Sequence, residues 1–100
     1  LWAVVSDTGT LVRPNPPGSI SASRTGTGVY AVNLGQNISD CSYLGSIGDT
    51  GTASGPAGLI RTHLSPSNTS VVIVETFRIS ANGSTPNDDY PFHLGVFCTP

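Results

Sequence analysis

The sequence predicts an all-β domain, an antiparallel β-sandwich of jelly-roll-like type with seven or eight short strands and no significant helix. Three observations carry this expectation. Short runs rich in Val, Ile, Thr and aromatic residues are bounded by clusters of Gly, Pro, Asn and Asp. No segment sustains the 3.6-residue apolar period of an amphipathic helix, and the strong helix formers are depleted, with no Lys or Met and few Ala or Glu. The chain of 100 residues fits one domain, 1–100, and leaves no room for a second core.

From the N-terminus, "LWAVV", 1–5, is a first strand; "SDTG" turns the chain and "TLVR", 10–13, runs back, so 1–13 reads as a hairpin. "PNPPG", 14–18, is a rigid breaker. "SISASR", 19–24, alternates Ile20, Ala22 and Arg24 against three serines, the pattern of a half-exposed strand. "GVYAVNL", 28–34, places Tyr30, Val32 and Leu34 toward the core, with Arg24 and Asn33 more exposed. "GQNISD", 35–40, is a turn, and "CSYLGSI", 41–47, sets Cys41, Tyr43 and Ile47 on one side. "GDTGTASGPAG", 48–58, is a long loop. "LIRTHL", 59–64, is a short strand with the turn "SPSN" after it. "SVVIVETFRI", 70–79, is the strongest strand; its middle is apolar on both faces, which places it centrally. "SANGSTPNDDYP", 80–91, is a second long loop. "FHLGVFC", 92–98, closes the domain with Phe92, Leu94, Val96 and Cys98 on one face.

Composition bounds the habitat and the partners. Charged residues make up 10% of the chain, well below the roughly 25% of an ordinary soluble domain. The basic residues are Arg13, Arg24, Arg61 and Arg78, and the formal net charge is −2, so there is no basic patch for nucleic acid. No apolar run approaches the roughly 20 residues of a membrane span. Solubility rests on Ser, Thr, Asn and Gly, which suits a secreted or surface-displayed β protein. With no visible signal peptide and Leu1 in place of Met, the chain reads as a mature protein or an excised domain.

Each candidate for chemistry has a structural counterpart. Gly26 and Gly28 precede an apolar run, as in a phosphate-cradling loop, but that run has a strand pattern and no Lys is present. They read as a hairpin corner, where glycine supplies a positive φ. His63 and His93 could be drawn into a Ser-His-Asp triad with Asp49, Asp88 or Asp89, yet no G-x-S-x-G elbow occurs. His93 falls on the face opposite Phe92 and Leu94, as a surface strand residue would. "NDDY", 87–90, offers hard oxygens for Ca²⁺ but lacks the EF-hand spacing. Asn37, Asn68 and Asn82 begin N-x-[ST] triplets in predicted turns, where glycosylation acceptors would sit. Trp2, Tyr30, Tyr43 and Tyr90 are aromatic candidates for a sugar-stacking platform or for the core; Trp2 and Tyr90 are the carbohydrate-contact candidates, Tyr90 because it sits beside a proline in a long loop. No catalytic, cofactor-binding or metal-ligating set is assigned, and no cofactor is implied. Cys41 and Cys98 are the two cysteines. A bridge between them would close a loop of about 57 residues and stabilise by about 4 kcal/mol on the chain-entropy model; two separate buried thiols are the alternative. Both share parity with the apolar positions of their strands, which suits a bridge across the core or neighbouring thiols.

The stretches "WAVVSDTGTLVR", "SASRTGTGVYAVNL", "ISDCSYLGSIGD" and "PFHLGVFC" together resemble a family of small uncharacterised bacterial secreted β-domains with the ordered pattern W-A-V-V-x-x-x-G-T-L-x-R, G-T-G-x-Y-x-V, C-x-Y and P-F-H-L-x-V-x-C. The resemblance covers nearly the whole chain and brings no activity with it. Both cysteines match its pattern, which implies that they face each other. More loosely, the chain looks like the β-structured heads of phage tail fibres and collagen-like stalks, which implies a trimeric, surface-exposed structural or adhesive head. The expectation is therefore a non-enzymatic extracellular module that self-associates as a trimer or filament in a fibre or surface assembly. A carbohydrate-binding module acting on a surface glycan through Trp2 or Tyr90 is the alternative, and a hydrolase or isomerase using His63 or His93 a third. No nucleic-acid partner and no membrane insertion are expected.

Overall fold

A computed structural model describes residues 1–99 of the chain. Eight strands form in order: β1 (Trp2–Val5), β2 (Leu11–Asn15), β3 (Ser21–Gly26), β4 (Val29–Asn33), β5 (Ser42–Ile47), β6 (Leu59–Leu64), β7 (Val71–Phe77) and β8 (Phe92–Phe97). They make two four-stranded sheets, ordered β2-β1-β8-β5 and β3-β4-β7-β6, with every pairing antiparallel. The hairpins β1–β2, β3–β4 and β6–β7 each stay within one sheet, while the other connections cross between sheets. The expected sandwich is present, and no helix occurs among the described residues.

The alternation of side chains decides which residues meet between the sheets. The inner strands β1, β4, β7 and β8 supply Ala3, Val5, Tyr30, Val32, Val72, Val74, Phe92, Leu94 and Val96, all essentially without solvent contact. Burying each of the larger aliphatic or aromatic side chains contributes about 1.5–3 kcal/mol before entropy is subtracted. Tyr30 and Phe92 pack with ring centroids 5.0 Å apart at a tilt of 58°. The edge strands β2, β3, β5 and β6 are only half-buried. The strand at 71–77 is interior to its sheet, as its apolar run predicts.

Several boundaries differ from the sequence reading, each for a physical reason. β2 continues through Pro14 to Asn15, into the expected breaker, because it is an edge strand and a missing N–H costs nothing on its open side. A bulge between Val4 and Val5, opposite Arg13 and Leu11, leaves Val12 unpaired. β3 spans 21–26 rather than 19–24, because Gly26 still pairs with Val29 across the corner. β7 stops at Phe77, and Arg78 instead donates its N–H to the Pro86 carbonyl. The expected turn at 35–40 carries a core residue: Ile38 is fully buried, and its N–H bonds the Thr69 carbonyl.

Cys41 and Cys98 form a disulfide with Cα atoms 4.3 Å apart. The bridge does not cross the core. Ser42 pairs with Phe97, so the cysteines sit directly opposite one another just beyond the ends of β5 and β8, neighbours in one sheet. Cys98 is exposed, whereas Cys41 is half-buried and packs against the core cluster.

Candidate functional site

An exposed apolar surface lies on the outer face of the first sheet. Residues that alternate with the core positions of β1, β8 and β5 point outward there. Trp2 pairs across β1–β8 with Gly95, and Gly95 pairs across β8–β5 with Leu44. Phe97, two residues along β8, lies on the same side. Trp2 is 43% exposed, Leu44 66% and Phe97 60%. Together with Val4 and Arg13 they line a shallow groove of about 430 Å³.

Glycine at position 95 shapes this face. A Cβ there would come within 3.0 Å of Cε2 and Cζ of Phe97, so the Phe97 ring lies back over the bare backbone with its outer side in solvent. At one end of the groove two side chains tether the loop 48–58. Arg13 Nη1 donates to the Thr50 carbonyl at 2.8 Å, and His93 Nε2–H donates to the Asp49 carbonyl at 2.9 Å. A carbonyl can only accept, so this contact requires the proton on Nε2.

The glycine corner at 26–28 holds an anion belonging to the chain itself. Gly28 adopts φ +64°, as a hairpin corner requires. Its N–H donates to Asp89 Oδ1 at 2.7 Å, Arg24 Nε donates to Asp89 Oδ2 at 3.0 Å, and the Tyr30 hydroxyl reaches Oδ1 at 3.3 Å. The Tyr30 hydroxyl also donates to the Asp7 carbonyl at 2.7 Å. This carboxylate pins the loop 80–91 onto the β3–β4 corner. The Arg24 hydrogen bond, and then the Gly28 N–H, hold the Asp89 carboxyl below its usual range against the opposing effect of burial. Burial first, and the Asp89 charge second, push the Tyr30 hydroxyl up to about 12.

The remaining candidates do not converge. His63 is on β6 in the second sheet and His93 on β8 in the first. His63 Nδ1 bonds the Leu64 carbonyl, and its Nε2 is 3.7 Å from Glu75 Oε1. Neither imidazole bonds a serine hydroxyl or an aspartate carboxylate among the described residues. The "NDDY" carboxylates diverge: Asp89 goes to Arg24 and Asp88 lies 4.0 Å from Arg78. Among the described residues no group of three or more His, Cys, Asp or Glu is placed to hold a metal ion. Asp49 accepts from the Gly51 N–H. Asn37, Asn68 and Asn82 are exposed, and each accepts from the backbone N–H two residues on, the asparagine-turn geometry.

Of the aromatic candidates, Tyr30 is a core residue and Tyr43 is half-buried with its hydroxyl donating to the Ile38 carbonyl. Tyr90 is half-buried rather than free in its loop, because its ring packs on the bare backbone of Gly58. Trp2 alone stands on an apolar outer face, and its companions there are Leu44 and Phe97. Sequence reading passed over both, although each occupies a polar-face position of its strand, which is where an exposed apolar residue is informative.

No helix of the described residues is long and apolar enough to cross a membrane. Comparison of the chain with protein-family models, curated proteins and solved structures finds no match.

Proposed function

We propose that the chain is a non-enzymatic structural or adhesive module of an extracellular assembly and that it self-associates through the outer face of its first sheet. The observation that supports this reading is the cluster of Trp2, Leu44 and Phe97 around Gly95, each more than two-fifths exposed. Large apolar side chains grouped on a sheet face mark an interaction surface. The groove carries no carboxylate, and its one arginine, Arg13, is already held by the Thr50 carbonyl. The exposed disulfide suits a non-reducing compartment, and the likeness to fibre-tip heads points the same way.

Sedimentation velocity on the chain and on Leu44→Glu tests this. The expected result is a species larger than one chain for the wild type and a folded monomer for the variant. A monomeric wild type at high micromolar concentration, or a variant that assembles unchanged, contradicts the reading.

A second reading has one specific observation behind it. The flat Phe97 ring and Trp2 flank Gly95 on one face, as a sugar-stacking platform would, with Arg13 and His93 at its end. Binding on a glycan array that is lost in Trp2→Ala while the chain stays monomeric would favour it over self-association.

A further inference from the structure

We infer that Asn82 is a site of self-modification: in the folded chain the Gly83 nitrogen attacks its side-chain amide, ammonia leaves, and water converts the product to a carboxylate. Asn37, Asn68 and Asn82 are all exposed and share one turn geometry, and the residue that follows each decides which of them reacts.

In all three, Oδ1 accepts the N–H two residues on, at 2.9, 2.9 and 3.1 Å. That bond folds the side chain back across the next peptide and carries the amide carbon toward the next backbone nitrogen. The three nitrogens differ. Ile38 is fully buried, and its N–H is held by the Thr69 carbonyl at 2.8 Å, so attack from it would pull a core residue out of place. Thr69, which follows Asn68, is β-branched and stiff, and its side chain crowds the ring that must form. Gly83 has no side chain, and a Cβ built on it would meet nothing within 4 Å. It stands at φ +85° and can swing through conformations closed to other residues. Asn82-Gly83 is the one Asn-Gly pair in the chain.

The turn also prepares the electrophile. Asn82 Oδ1 accepts from the Ser80 hydroxyl as well as from the Ser84 N–H, so two donors face the oxygen on which negative charge gathers during attack. The nucleophile is restrained by the bond from the Gly83 N–H to the Ser80 carbonyl at 3.0 Å. Residues 81–85 are exposed, so releasing that bond costs no core packing.

Water is the one co-reactant. The Gly83 nitrogen gives its proton to solvent and bonds Asn82 Cγ. The Cγ–Nδ2 bond breaks, and Nδ2 takes a proton from solvent and leaves as ammonia. Water then opens the cyclic imide at either of its carbonyls. One opening leaves aspartate; the other leaves isoaspartate, with the main chain rerouted through Cβ and Cγ. Either product adds one negative charge to a chain of formal net charge −2 in which charged residues make up only 10%.

The test is peptide mapping by mass spectrometry after incubation of the folded chain at mildly alkaline pH, with circular dichroism to confirm the fold. Asn82→Gln and Gly83→Ala are run alongside. The expected result is a gain of about one dalton, with isoaspartate present, in the peptide carrying Asn82 and not at Asn37 or Asn68. Each variant should convert about tenfold more slowly or worse, since one enlarges the ring and the other adds a side chain to the attacking residue. Asn37 and Asn68 in the wild type remain the comparison if Gly83→Ala disturbs the loop. An Asn82 peptide of unchanged mass, conversion of Asn37 or Asn68 at the same rate, or either folded variant converting like the wild type overturns the inference.

Discussion

Asp89 joins two parts of the chain that are far apart in sequence. Its carboxylate takes the Gly28 N–H and the Arg24 side chain at once, and each is a charge-assisted bond. Its folded-state pKa is lowered, and so is that of Glu75, chiefly by the hydrogen bond from Arg61. A carboxyl whose folded pKa lies below its unfolded value of about 4 stabilises fully above that value and loses the contribution as pH falls through the folded one. The thermal midpoint is therefore expected to be flat from about pH 7 to 5 and to fall below about pH 4. Asp89→Asn should lower the plateau by about 1–2 kcal/mol and flatten the acid limb, measured by circular dichroism melts across pH. An unchanged acid limb would remove Asp89 from this role. Gly28→Ala should cost more, about 1–3 kcal/mol from backbone strain alone. Its Cβ would sit 2.5 Å from the Thr76 carbonyl oxygen and 2.8 Å from the Asp88 nitrogen, neither of which can swing away. Sequence reading recognised the positive φ of Gly28 but not its partner. Nothing local marks an aspartate 61 positions away as the anion that fills the corner.

Among the elements, β8 links the core, the disulfide and the candidate face. Its even residues Phe92, Leu94 and Val96 are buried, while Gly95 and Phe97 look outward. Gly95→Ala is expected to leave the fold in place, because the contact it creates is with the far end of the Phe97 side chain. It should tilt that ring off the sheet and weaken self-association, so a variant with wild-type assembly would argue against the flat ring's part in the interface. Replacing both cysteines, Cys41→Ser with Cys98→Ser, removes a loop constraint of 57 residues and is expected to cost about 4 kcal/mol in a urea titration. The strands themselves were legible because period-2 burial is written in residue type: Tyr30, Val32, Val72 and Val74 alternate with partly exposed neighbours. The errors fall where context outweighs type. Pro14 reads as a breaker until its strand is known to be an edge, and Ile38 reads as part of a turn because one buried residue between polar ones has no period.

At the scale of the whole molecule, the chain combines an ordinary core with unusually little surface charge. Three of its four arginines face its own carboxylates. The sandwich class and the cysteine pair were within reach of sequence reasoning, since composition, alternation and a family likeness all pointed to them. The candidate face was only a third legible. Trp2 drew attention as an exposed aromatic, but Leu44 and Phe97 join it only through the register of three strands, and register depends on pairings between residues tens of positions apart. That same register provides the most direct test. Trp2 is the only tryptophan in the chain and stands on the face proposed to be covered. Its fluorescence emission, monitored through dilution from high micromolar to nanomolar chain, reports whether the face is buried. A red shift on dilution in the wild type, with Leu44→Glu red-shifted throughout, is the predicted result. An emission maximum independent of concentration and equal to that of Leu44→Glu would contradict self-association through this face.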